Sequence, residues 1–167
     1  AAFILIGAMN PCKCGYYPDR NRCQCSEGEI RRYLNRISGP FLDRMDICVE
    51  VSRQDIWEVS EEKKGKSSDY YRERIEQAIE RQKNRNGDIY NSRLMGQDLI
   101  ERCEMNADAL EFMKCAYDKF LLSMRGYYKV LRVARTIADL KGTDCVTQED
   151  IAQALSYRVE KTFQSKY

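Results

Sequence analysis

The stretch Ala2-Phe3-Ile4-Leu5-Ile6-Gly7-Ala8-Met9-Asn10-Pro11-Cys12-Lys13-Cys14 decides how this chain is read. Its first seven residues form a continuous apolar run, the pattern of a short strand buried on both faces in a parallel sheet. Asn10 and Pro11 end the run and a cysteine loop follows. A parallel sheet needs several strands, yet the sequence offers only one more convincing candidate, residues 47–51. The expectation is a chain that begins in mid-domain, with a small β remnant ahead of helices.

The 167 residues are 43% hydrophobic and 32% charged, which excludes a disordered tail and a membrane protein. No apolar run approaches the ~20 residues needed to span a bilayer. Residues 1–9 lack the basic start of a secretory signal, so a cytoplasmic protein is expected. Lys+Arg number 28 against Asp+Glu 26, a balance that by itself announces no nucleic-acid binding. Histidine is absent, which removes Ser–His and Cys–His nucleophile pairs and imidazole ligands. Most hydrolase mechanisms are therefore excluded on this chain alone.

Of eight cysteines, four crowd into Cys12-Lys13-Cys14 and Cys23-Gln24-Cys25. Two close thiolate pairs on one loop can supply the soft tetrahedron that Zn²⁺ prefers, and Gly15-Tyr16-Tyr17-Pro18-Asp19 between them has turn chemistry. Lys13, Arg20 and Arg22 would offset the double negative charge. Free thiols or two disulfides are the alternative; the reading adopted is a closed, structural zinc site. Cys48, Cys103, Cys115 and Cys145 stand alone and read as inert core thiols.

Residues 27–36 read as a basic helix. Arg31, Arg32 and Arg36 with Tyr33 read first as its solvated face, with DNA binding the alternative. Further helices are expected over 68–85, 97–102, 107–122, 124–141 and 148–161, with Asn86-Gly87 and Gly142 as stops and Thr147 as a cap. Tyr71, Ile75, Ala78, Ile79 and Gln82 form the stripe expected to be buried on the first of these helices. Trp57 is expected to plug a junction between sheet and helices, and the tyrosines Tyr70, Tyr71, Tyr117, Tyr127 and Tyr128 to pack between helices.

Three motifs carry a family resemblance. The string from Ala8 to Tyr17, then Ser38-Gly39-Pro40-Phe41-Leu42-Asp43-Arg44-Met45-Asp46, then Arg132-Val133-Ala134-Arg135-Thr136-Ile137-Ala138-Asp139-Leu140, occur in the order found in magnesium-chelatase-like AAA+ ATPases. The chain resembles the C-terminal portion of the bacterial subfamily linked to competence and DNA branch migration. The resemblance implies a fold that is mainly α: the end of an AAA+ α/β core at 1–60 with a zinc loop at 12–25, a linker at 61–68, and a helical lid at 69–167.

It also implies site residues. Asn10, at the tip of the apolar run, matches the sensor 1 residue that orients water near the γ-phosphate; by composition alone it is equally a loop residue before proline. Arg44 matches the arginine finger that reaches a neighbouring subunit's nucleotide, while an ion pair with Asp43 or Asp46 is the plainer account, and both can hold. Arg125 matches sensor 2 on the lid. Arg132 and Arg135, on one helix face, are alternatives for nucleotide contact, lid packing or intersubunit contact.

No phosphate loop and no Mg²⁺-binding acid precede Asn10 in these residues. ATP and Mg²⁺ would thus be cofactors of the complete protein, which would supply the missing N-terminal half, assemble as a homo-oligomeric ring, a hexamer in its relatives, and act on DNA, with no membrane partner. This chain alone would not hydrolyse ATP. The competing readings are a zinc-bearing adaptor for protein or nucleic acid, without ATP, and a chelatase-type ATPase subunit.

Overall fold

The computed structural model describes residues 3–51 and 65–158. Within them the chain forms two compact units, 3–45 and 46–158, and the described secondary structure is almost wholly helical.

In the first unit a turn-rich loop leads into α1 (Glu27–Leu34) and the short α2 (Gly39–Leu42). A capping box starts α1: the Ser26 hydroxyl accepts from the Glu29 N–H, and the Glu29 carboxylate accepts from the Ser26 N–H at 2.9 Å. This start aims Ile30, fully buried, at Cys12, Cys23 and Cys25, with Tyr17 and Leu34 at the edge of the same cluster. A loop this short has little aliphatic material, so its core consists chiefly of thiols.

The second unit comprises α3 (Ser68–Asn86), a 3₁₀ turn (Asn91–Arg93), α4 (Gly96–Cys103), α5 (Ala107–Lys119), α6 (Met124–Lys141) and α7 (Gln148–Ser156). Its spine is α6. Val130, Leu131, Ala134 and Ala138 of that helix join Leu99, Met113 and Ile151 from α4, α5 and α7 in one buried cluster. A parallel bridge between Met105 and Val146 aligns the starts of α5 and α7. Gly142 ends α6 at φ +82°, a left-handed conformation natural to glycine.

Three sequence expectations change. Neither 3–9 nor 47–51 forms a strand, and Phe3, Ile4, Ile6 and Val51 are 77% to 89% exposed. A strand exists only through a ladder of bonds to neighbours, and the described residues give these runs no ladder, only the single bond from the Cys48 N–H to the Tyr157 carbonyl at 2.9 Å. On α3, Ala78 and Gln82 are buried as expected, but Tyr71 and Ile75 are each 52% exposed. That helix meets α6 instead through arginines: Arg74 donates to the Leu140 carbonyl at 3.1 Å and Arg81 to the Asp139 carbonyl at 2.9 Å. Of the solitary cysteines only Cys103 is buried, whereas Cys115 is exposed. The helix expected over 148–161 ends at Ser156, with Tyr157 as its C-cap. Trp57, residues 61–64 of the expected linker and residues 159–161 lie outside the described residues.

The edge contacts Tyr117–Tyr127 and Tyr127–Tyr128, at 5.9 and 5.6 Å between ring centroids, place these rings against the core as helix packing.

Candidate functional site

The four cysteines of the loop converge. Turns at Cys12–Gly15 and Asp19–Cys23, closed by backbone bonds of 3.1 and 2.8 Å, fold the two pairs back on each other. Gly15 takes φ +82°, and the Asn10 amide lies 3.6 Å from where a side chain at Gly15 would begin. Cys12 Sγ is 3.3 Å from Cys14 Sγ and 3.8 Å from Cys23 Sγ, Cys14 and Cys23 are 3.6 Å apart, and all four sulfurs lie within 4.8 Å of one another. A disulfide needs about 2.0 Å, so these are free thiols. Zn–S bonds of about 2.3 Å in a tetrahedron put sulfurs about 3.8 Å apart, close to the observed spacing. The donor set and its geometry fit a four-coordinate metal ion.

The surrounding backbone favours charge on one cysteine pair. Cys14 is lowered to about 6, first by the Tyr16 N–H directed at its sulfur and then by the Cys12 thiol. Burial works against ionising Cys12, but backbone N–H groups led by that of Tyr17 outweigh it and leave the thiol lowered. Cys23 is pushed up to about 12 by burial and then by the neighbouring Cys14 and Cys12 sulfurs; Cys25 is raised by burial and the same sulfurs. Charge is therefore favoured on Cys12 and Cys14 and opposed on Cys23 and Cys25. A bound cation removes that conflict, since metal binding displaces the remaining protons.

The other sequence-marked residues fall in both units. Asn10 is an exposed loop residue beside Gly15. Arg44, exposed just after α2, donates to the Pro40 carbonyl at 2.6 Å. Asn10 and Arg44 belong to the first unit; Arg125, Arg132 and Arg135 lie on α6 of the second. Arg125 is exposed in the first turn of α6, where Ser123 caps the helix and no acid is present. A cation there opposes the helix dipole.

Arg132 is half-buried and bonds the Leu94 carbonyl at 3.4 Å. Arg135 is fully buried, and its guanidinium donates to the carbonyls of Cys103, Thr143 and Asp144 and to the Asp139 carboxylate. This geometry packs Arg135 inside the helical unit and leaves its guanidinium no exposure to solvent.

Sequence reasoning missed the cluster around Asp139. Its fully buried carboxylate also accepts from Arg85 at 2.7 and 2.9 Å and from Asn91 at 2.8 Å. The available signal was the i, i+4 spacing of Arg135 and Asp139; Arg85 and Asn91 come from distant sequence and carry none.

Comparison with known proteins gives the family. Residues 65–158 match the family model described as magnesium chelatase, subunit ChlI C-terminal, and residues 1–59 match magnesium chelatase, subunit ChlI. The chain is 38% identical to the competence protein ComM of Haemophilus influenzae, covering 95% of this chain and 31% of that protein. It is 37% identical to the uncharacterized protein YifB of Salmonella typhimurium, with the same coverage, and 35% identical to the uncharacterized protein Rv2897c of Mycobacterium tuberculosis, covering 95% and 32%. The chain thus spans about a third of the length of these relatives. No helix among the described residues is long and apolar enough to cross a membrane. With more than half of its residues matched, the chain belongs to the magnesium chelatase, subunit ChlI C-terminal family.

Proposed function

We propose that this chain is the sensor, finger and lid portion of a magnesium-chelatase-like AAA+ ATPase that works as an oligomeric ring on DNA. The observation that carries the reading is family membership together with the exposure of Arg44 and Arg125, the two arginines to which the resemblance assigns the finger and sensor 2 roles. Arg44, exposed just after α2, would neutralise charge on a phosphoryl group held by a neighbouring subunit, a contribution of roughly 10³–10⁵ in rate. Arg125 would hold nucleotide phosphate at the start of α6, where the anion would relieve the cation-on-dipole conflict. Asn10 would orient the attacking water through its amide.

Cys12, Cys14, Cys23 and Cys25 would hold Zn²⁺. Four protein ligands leave no open position, so the ion would brace the loop and take no part in hydrolysis. The phosphate loop, the Mg²⁺ ligands and the rest of the sheet would come from the remainder of the complete protein, in which ATP and Mg²⁺ are bound.

The test is ATP turnover by the complete protein with and without single-stranded or branched DNA. Turnover stimulated by DNA is expected, and Arg44→Ala should lower it by about 10³-fold or more while the subunit stays folded. Absence of turnover by the wild type would overturn the ATPase reading, and normal turnover by Arg44→Ala would remove the finger.

A further inference from the structure

The cysteine-loop unit carries more cation than its own acids neutralise. Across residues 12–36, Asp19, Glu27 and Glu29 stand against Lys13, Arg20, Arg22, Arg31, Arg32 and Arg36. Glu27 is engaged by Arg20, and Glu29 by Lys13 at 2.5 Å. Asp19 accepts the Asn21 N–H at 3.0 Å. That leaves Arg22, Arg32 and Arg36 with no carboxylate partner among the described residues. The charge of a metal-bound tetrathiolate would offset Arg22, beside Cys23, in part and leave the surplus at Arg32 and Arg36.

These three are not scattered over a featureless surface. Arg32 and Arg36, four apart and both exposed, line a groove of about 290 Å³ with Tyr33, Lys13 and Glu29. Glu29 is the one acid in that lining and is already neutralised by Lys13. On the same loop the Arg22 guanidinium lies over the Tyr16 ring at 4.4 Å, and Tyr16 is 46% exposed.

We propose that the Arg32–Tyr33–Arg36 groove, with the Tyr16–Arg22 stack on the same cysteine loop, is a docking surface for single-stranded nucleic acid. This deepens the reading of the complete protein as a motor on DNA and rests on it. Spaced guanidinium groups attract successive phosphates and release counterions, which makes the attraction depend on salt. Beside them the exposed Tyr16 ring and the half-buried Tyr33 ring offer surface on which unpaired bases stack irrespective of sequence. A duplex keeps its base faces covered and would leave the rings unused. An acidic protein segment would use the cations alone.

The experiment follows fluorescence anisotropy of a labelled oligothymidylate with the complete protein as salt is raised from about 50 to about 200 mM. The Arg32→Gln, Arg36→Gln double variant is expected to bind about tenfold more weakly and to flatten the salt slope by about 1.4. Tyr16→Ala is expected to bind about fivefold more weakly with the slope kept. Lys114→Gln on α5 serves as the charge control and should match wild type. Metal content and circular dichroism confirm that each variant is folded, and turnover without DNA should not change.

Wild-type affinity and slope in the double variant would overturn the proposal, as would wild-type binding by Tyr16→Ala. If the wild type hydrolyses ATP but binds no oligonucleotide, this surface falls and the ATPase reading stands. If it binds through the groove and hydrolyses nothing, the ATPase reading falls and the surface stands.

Discussion

Asp139 gathers most of the polar interior of the helical unit onto one carboxylate. Arg85 and Arg135 reach it from α3 and α6, and Asn91 from the 3₁₀ turn. Two guanidinium groups on one buried anion leave a cation in excess, which Arg135 offsets by donating to three carbonyls. Removing one partner of such a buried pair typically costs about 3–5 kcal/mol because the remaining charge stays desolvated. Asp139→Asn should therefore lower the free energy of unfolding, measured by urea titration, by an amount in that range, and a change under about 1 kcal/mol would show that the cluster is not stabilising. Asp139 was legible only as the last acid of a motif, since its partners Arg85 and Asn91 are unmarked in the sequence. The convergence of the four cysteines was legible, because all four lie within fourteen residues as two close pairs around a turn.

Among the elements, α7 shows how a cap becomes a pH-dependent contribution. The Asp150 carboxylate accepts from the Thr147 N–H and hydroxyl, both at 2.9 Å, and from Lys141 Nζ at 2.6 Å. Burial opposes its ionisation, yet these bonds outweigh burial and hold it below its ordinary value of 3.8. A carboxyl whose folded value is depressed stabilises the fold above its unfolded value. That contribution is lost as pH falls through the lower, folded value. The melting temperature should accordingly drop on acidification below about pH 4, and Asp150→Asn should flatten this limb while lowering stability near neutrality by about 1 kcal/mol. An unchanged acid limb in the variant would refute the assignment. Helices such as α6 and α7 were legible because their caps and 3.6-residue periods are local. The apolar runs at 3–9 and 47–51 misled because a strand is defined by its neighbours. The buried face of α3 was misjudged because arginine-to-carbonyl bonds, invisible to hydrophobic periodicity, do much of its docking.

At the level of the molecule the two units draw on different kinds of core. The first is built around thiols with Ile30, the second around an aliphatic cluster that includes Leu99, Met113, Leu131 and Ile151. Stripping metal with a strong chelator under reducing conditions should unfold the loop of the first unit and leave the thermal transition of the second within a few degrees of its starting value. Loss of both transitions together would show that the units share one cooperative fold, and a metal assay finding none in the reduced, untagged protein would remove the zinc centre.

The spine of the second unit has a mechanical consequence. With 18 residues, α6 is about 27 Å long. Its far end is gripped by Arg74, Arg81 and Arg85 of α3, while its near end presents Arg125 to solvent. Between the two ends it is packed on nearly every turn. Under the proposed function the helix would act as a pushrod: an anion seized at Arg125 would load a rod clamped at its other end and packed along its length, so the whole helical body would register it.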